Sequence, residues 1–204
     1  MIVLNGVSKR ISSEFQLHVE NITLEKGTNY KISGINGSGK TVFLKLLLGI
    51  ISKDAGYRKI DNTMSGFLGI ERMLDFLTPK EYFYVVCKSY GIKKKEILAR
   101  YNNINSFFNR KYMDEKKLIC DYSNGNKQLI GIIAACLPYS DFVLLDEPFN
   151  YLDETTVTAL VKMLDFLNKE KSISIVYSDN LKRTNLSSYE SLTIENGNVQ
   201  ALTE

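Results

Sequence analysis

The chain has 204 residues, 44% of them apolar, with 26 Lys and Arg against 23 Asp and Glu for a formal net charge of +3. That length buries one good-sized core with a lobe attached rather than two independent domains, so residues 1–204 are expected to form one domain. The mild charge gives no concentrated basic face, and no nucleic acid is expected as a partner.

The opening Met1-Ile2-Val3-Leu4-Asn5 has no basic leader and no long apolar stretch, so it reads as a strand and not as a signal peptide. The β-forming run Asn29 to Ser33 leads into Gly34-Ile35-Asn36-Gly37-Ser38-Gly39-Lys40-Thr41, and an apolar-periodic helix from Val42 follows until Gly49. This is a complete G-x-x-x-x-G-K-[ST] phosphate loop in its required strand–loop–helix setting. Glycines let the backbone curl so that N–H groups, including those at Gly37, Ser38, Gly39 and Val42, face a β-phosphate at a helix N-terminus. Lys40 is placed to reach the β- and γ-phosphates, and the Thr41 hydroxyl to ligate Mg²⁺. An ordinary glycine-rich turn would not need the lysine or the helix, so ATP with Mg²⁺ is the expected ligand.

Residues 71–138 are expected to form a helical insert. Thr78 reads as an N-cap with Pro79 in the first turn of a helix to about Tyr90, and a second helix runs from about Lys94 to Asn109. The aromatic residues between 82 and 112 fit the packing of a small lobe, with a docking groove lined by Tyr82, Phe83 and Tyr90 as the alternative. Cys87, Cys120 and Cys136 lack C-x-x-C spacing, which indicates neither a disulfide framework nor a zinc site and fits a reduced compartment. The apolar run Leu129 to Leu137 is about half of a bilayer span, so no membrane crossing is expected from this chain.

Downstream, Phe142-Val143-Leu144-Leu145 reads as a strand buried on both faces of a parallel sheet, ending in Asp146-Glu147 where open α/β sheets bind ligands. Asp146 is a candidate Mg²⁺ carboxylate with Thr41, and Glu147 a candidate to polarise an attacking water.

Between these elements lies Tyr122-Ser123-Asn124-Gly125-Asn126-Lys127-Gln128, and here the chain resembles the ABC ATPases, whose L-S-G-G-Q signature occupies this place. The resemblance extends to the D-loop-like Asn150-Tyr151-Leu152-Asp153 and the closing hairpin at 194–199, and is greatest to export-type members that include antibiotic-peptide and multidrug exporters. It implies an α/β P-loop core with an N-terminal antiparallel β-subdomain and an inserted helical subdomain. It further implies that Ser123, Asn124, Gly125 and Asn126 cap ATP held by a second subunit, in a homodimer or a heterodimer with another ABC ATPase. Transport would then be driven through an integral membrane permease, with this subunit cytoplasmic and peripheral on the membrane's cytoplasmic face.

Three positions depart from the family pattern. Asp179 stands at the place expected for the switch histidine; the single histidine, His18, lies in the N-terminal strand region. A carboxylate within about 4 Å of a phosphate charge costs on the order of 4 kcal/mol at an effective dielectric of about 20, so slow hydrolysis is expected. Ile70 and Glu71 occupy the Q-loop glutamine position. Ile11 replaces the adenine-stacking aromatic, with Phe15 as a substitute or a core residue. These departures keep two alternatives open: a regulatory subunit that binds ATP and hydrolyses little, and a soluble ABC ATPase acting on nucleic acid or ribosomes.

Overall fold

The computed structural model describes residues 1–179 and 185–201. Its strands are β1 (Ile2–Arg10), β2 (Gln16–Leu24), β3 (Tyr30–Ser33), β4 (Ala55–Ile60), β5 (Met64–Phe67), β6 (Phe142–Leu145), β7 (Ser174–Ser178), β8 (Glu190–Glu195) and β9 (Asn198–Ala201). Its α-helices are α1 (Lys40–Leu47), α2 (Pro79–Ser89), α3 (Lys94–Asn105), α4 (Asn124–Cys136) and α5 (Glu154–Lys171). Among the described residues the strands join in one sheet of order β4-β1-β2-β9-β8-β3-β7-β6-β5. Strands β5, β6, β7 and β3 pair in parallel, whereas β4, β1 and β2 are antiparallel, as expected of a P-loop core joined to an N-terminal β-subdomain.

Side-chain alternation along β6 divides the core. Phe142 and Leu144 pack with Tyr30, Ile32, Val176 and the α1 residues Phe43, Leu44 and Leu47 on one side. Val143 and Leu145 pack with Ile175, Tyr177 and residues of α4 and α5 on the other. All four β6 residues are fully buried, the condition of a central parallel strand covered by helices on both faces.

The insert is helical where the sequence placed it, although α3 ends at Asn105 and irregular chain follows. Thr78 caps α2 in a full capping box with Glu81, with Pro79 in the first turn. Helical spacing points Phe83 and Cys87 inward, where Phe83 packs 5.5 Å from Tyr101 between ring centroids. Phe83 is therefore core and not groove lining, a correction to the docking alternative, whereas Tyr90 and Val85 remain exposed. No helix among the described residues is long and apolar enough to cross a membrane.

Candidate functional site

The phosphate loop turns back on itself between β3 and α1. Gly37 and Gly39 adopt φ of 82° and 112°, values that a side chain strongly disfavours. A Cβ on Gly34 would lie 2.5 Å from the Ile194 carbonyl oxygen and 2.6 Å from Ser38 Oγ, so the first glycine of the motif is fixed by close approach. Lys40 is folded into the loop and donates to the carbonyls of Gly34 at 2.9 Å and Ile35 at 3.0 Å. Burial pushes its ammonium below the usual lysine range, against the opposing pull of Glu147 and Asp146. Ser38 Oγ is buried with no hydrogen-bond partner among the described residues. A hydroxyl left unpaired inside a glycine-rich loop beside a lysine ammonium is the chemistry that a phosphate oxygen satisfies, so these residues fit ATP.

The carboxylate pair comes to the same place. Thr41 Oγ1 donates to Asp146 Oδ2 at 2.5 Å, which brings together the two oxygens named for Mg²⁺. No cluster of three or more His, Cys, Asp or Glu among the described residues holds a metal on its own. A hydroxyl and one carboxylate nevertheless fit Mg²⁺, which takes one or two protein oxygens and fills its remaining positions with phosphate and water. Glu147, at φ 45°, lines two adjoining cavities. One, of about 520 Å³, runs from the loop at Asn36, Gly37, Gly39, Lys40, Thr41 and Val42 to Ile11 and Phe15. The other, of about 220 Å³, is bounded by Thr41, Asp146, Ile70 and Glu71, which puts the Q-loop substitutes beside the metal pair. Phe15 is both cavity wall and packing partner: a Cβ on Gly39 would meet its ring at 2.8 Å.

Several contacts here escaped the sequence reading. Ser178 Oγ donates to Asp146 Oδ1 at 2.6 Å and accepts the Glu147 N–H at 2.8 Å. Gln128 Nε2 donates to the Glu147 carbonyl at 3.0 Å, and Asn150 Nδ2 donates to Glu147 Oε2 at 2.6 Å.

Asp179, at the switch position, contacts Lys31. Ser178 pairs with Ile32, whose side chain faces α1, so Ser178 shares the face of Thr41 and Asp146. The next residue points through to the opposite face. There Asp179, 6% exposed, meets Lys31 Nζ at 3.0 Å, and Lys31 also donates to Asn185 at 2.8 Å. Lys182 and Arg183, the next basic residues along the sequence, lie outside the described residues. His18 sits in β2 opposite Ser8.

The signature segment lines a further, separate cavity of about 340 Å³, bounded by Ser123, Asn124, Gly125, Asn126, Tyr151 and Asp153, among others. Ser123 caps α4, accepting from the Asn126 backbone N–H at 3.4 Å and from Asn126 Nδ2 at 2.7 Å. A Cβ on Gly125 would lie 2.5 Å from the Tyr151 carbonyl oxygen, so this glycine lets the signature pack against the D-loop. Asn126 is held from behind by Tyr112 at 2.7 Å and Arg110 at 3.1 Å. Asp153 caps α5 by accepting from Thr156 N–H at 2.8 Å.

Comparison with known proteins decides the family. The family described as "ABC transporter" matches residues 17–150, about two-thirds of the chain. The chain belongs to the ABC transporter family. Among curated ABC proteins it is 28% identical over 193 residues to the bacitracin transport ATP-binding protein BcrA of Bacillus licheniformis, across 89% of this chain and 62% of that relative. It is 27% identical over 199 residues to the ABC transporter ATP-binding protein NatA of Bacillus subtilis, across 89% of this chain and 80% of NatA. The chain thus spans less than two-thirds of the bacitracin relative's length. Its fold is that of solved ABC cassettes: the dimeric cassette MJ0796 superposes over 100% of both chains with a TM-score of 0.83 at 18% identity. The cassette cbiO1 of Clostridium perfringens does so over 98% of this chain and 86% of its own, with a TM-score of 0.79 at 19% identity.

Proposed function

We propose that this chain is the ATP-binding and ATP-hydrolysing subunit of an export-type ABC transporter. The observation that carries the reading is the convergence of the phosphate loop, the Thr41–Asp146 pair and Glu147 on one set of walls. Lys40, Ser38 and the loop amides would hold the triphosphate, with Thr41 and Asp146 holding Mg²⁺. The metal supplies charge stabilisation at the phosphoryl oxygens. Glu147 is the base that orients and polarises the attacking water. Similarity to the bacitracin transport protein supports a role in transport; in this reading the transported molecule meets the membrane partner and not this site.

The reading includes a head-to-tail pairing of two ATPase subunits, each signature capping the other's nucleotide, and an integral membrane permease that receives the movement. It places the subunit on the cytoplasmic face of the membrane, with residues 1–204 acting as one unit. The regulatory alternative drew on Asp179 and on Ile70 at the Q-loop position; the Asp179 contact with Lys31 speaks against the first ground, and Glu147 and Lys40 favour turnover. The mild charge and the fit to a transporter family speak against an ATPase acting on nucleic acid.

Lys40→Ala should lose most Mg-ATP binding in calorimetry, since burial holds this ammonium in the loop with few alternatives for the γ-phosphate. Unchanged affinity would remove the nucleotide assignment.

A further inference from the structure

Arg110 divides its donors between two partners. Its Nε and Nη2 grip the Glu115 carboxylate at 2.6 and 2.8 Å, while Nη1 reaches Asn126 Oδ1 at 3.1 Å. The guanidinium also lies 5.3 and 5.0 Å from the ring centres of Tyr112 and Tyr122, and Tyr122 donates to Glu115 at 2.6 Å. A guanidinium has donors and no acceptor, so the Asn126 atom that faces it is the carbonyl oxygen. The Tyr112 hydroxyl donates to the same oxygen at 2.7 Å.

That orientation passes to the other end of the amide. With Oδ1 turned to Arg110, Nδ2 faces Ser123 and donates to its Oγ at 2.7 Å, beside the Asn126 backbone N–H at 3.4 Å. A hydroxyl accepts two hydrogen bonds and donates one. Both acceptor positions of Ser123 are thus taken up by Asn126, and its proton is directed away from that side. Ser123 and Asn126 are walls of the signature cavity, whereas Arg110 is not. Were the amide reversed, its oxygen would draw the Ser123 proton inward, and the hydroxyl would present a lone pair to the cavity instead.

Resting on the head-to-tail reading above, we propose that Arg110 is a positioning residue for the signature: through the Asn126 amide it fixes the Ser123 hydroxyl as a donor, the polarity that a phosphate oxygen of the paired subunit's nucleotide requires. Glu115 and Tyr122 keep Arg110 in place for this, and Arg110 itself touches no ligand.

The test has two arms. Nitrogen-15 NMR of side-chain amides, on the protein without nucleotide, should show the Asn126 Nδ2 protons exchanging with solvent at least severalfold more slowly than those of exposed asparagines, and Arg110→Met should remove that protection. Fast exchange in the wild type, or equal protection in both proteins, overturns the proposal. The second arm is a double-mutant cycle in a Glu147→Gln background with saturating Mg-ATP, read as the dimer dissociation constant in analytical ultracentrifugation. Arg110→Met and Ser123→Ala should each weaken the dimer by about tenfold to a hundredfold, the worth of a hydrogen bond to a charged group. If Arg110 acts through the Ser123 hydroxyl, the double variant should match Ser123→Ala alone within about twofold. Arg110→Lys, also a donor without an acceptor, should keep the amide orientation and retain more of the dimer than Arg110→Met. Losses that simply add would show that Arg110 supports the lobe without acting on Ser123, and would overturn the proposal. A Glu147→Gln protein that binds ATP and never dimerises counts instead against the head-to-tail reading, and amide exchange then decides the Arg110–Asn126 contact by itself.

Discussion

The last residue of β7 and the one after it show how a single step along a strand separates two chemistries. Ser178 faces α1 and joins the carboxylates, whereas Asp179 faces away and joins Lys31, with side chains only 9% and 4% exposed for the lysine and aspartate. Removing one partner of a buried ion pair leaves an uncompensated charge, which costs about 3–5 kcal/mol. Asp179→Asn should therefore lower the free energy of unfolding by that amount, read as a lower urea midpoint at unchanged slope, while turnover of the folded protein stays unchanged. Asp179→His should behave alike, because the position opens onto Lys31 and not onto the phosphate loop. A severalfold rise in turnover for the histidine variant, with wild-type stability, would show that the side chain reaches the nucleotide after all. The Asp179–Lys31 contact was not legible in the sequence, because the face a residue takes reverses with each step along a strand.

At the level of elements, what the sequence made legible was local: the loop at 34–41, the doubly buried β6, the cap at Thr78 and the signature segment each carry their own spacing rule. What it hid was long-range. Gln128 and Ser178 reach Glu147 across 19 and 31 positions, and no periodicity announces such contacts. The buttress behind the signature was hidden for the same reason. Arg110 grips Glu115 with bonds of 2.6 and 2.8 Å, and Tyr122 donates to Glu115 at 2.6 Å. Arg110 and Lys117 also lie 5.0 and 4.8 Å from the Tyr122 ring centre, and Arg110 reaches on to Asn126. The Arg110 guanidinium holds the Glu115 carboxyl down to about 2, aided by Tyr122 although partial burial opposes it. A depressed folded value means that this contribution is fully present above the ordinary glutamate range near about 4.3 and is lost as pH falls towards about 2. Glu115→Gln should flatten the fall in stability over that window, measured by urea unfolding at a series of pH values. An identical acid profile in both proteins would show that the buttress does not form in solution.

Across the whole molecule, the nucleotide cavity and the signature cavity have different walls, and Tyr151 borders both the carboxylate side of the first and the second. Tyr151 is 65% exposed and Ile35, inside the phosphate loop, 77% exposed, so apolar surface lies open at each half-site. Neither arrangement is complete alone. The loop would offer donors to one side of a triphosphate, and the Ser123 cap at the α4 N-terminus lies in a separate cavity of the same chain. The proposed two-fold pairing, with each signature over the other chain's loop, would cover Ile35 and Tyr151 and close both sites at once, as a self-complementary interface requires. Hydrolysis would dissolve such a pair by removing the phosphate shared between the two half-sites, so the assembly should accumulate only when the base is disabled. Glu147→Gln with saturating Mg-ATP is therefore expected to sediment as a dimer in analytical ultracentrifugation and as a monomer with Mg-ADP. Adding Ser123→Arg, which crowds the cap without touching the P-loop, should return it to monomer while ATP binding by calorimetry persists. A Glu147→Gln protein that binds ATP and stays monomeric at every protein concentration would refute self-pairing and leave a second, different ATPase chain as the partner to seek.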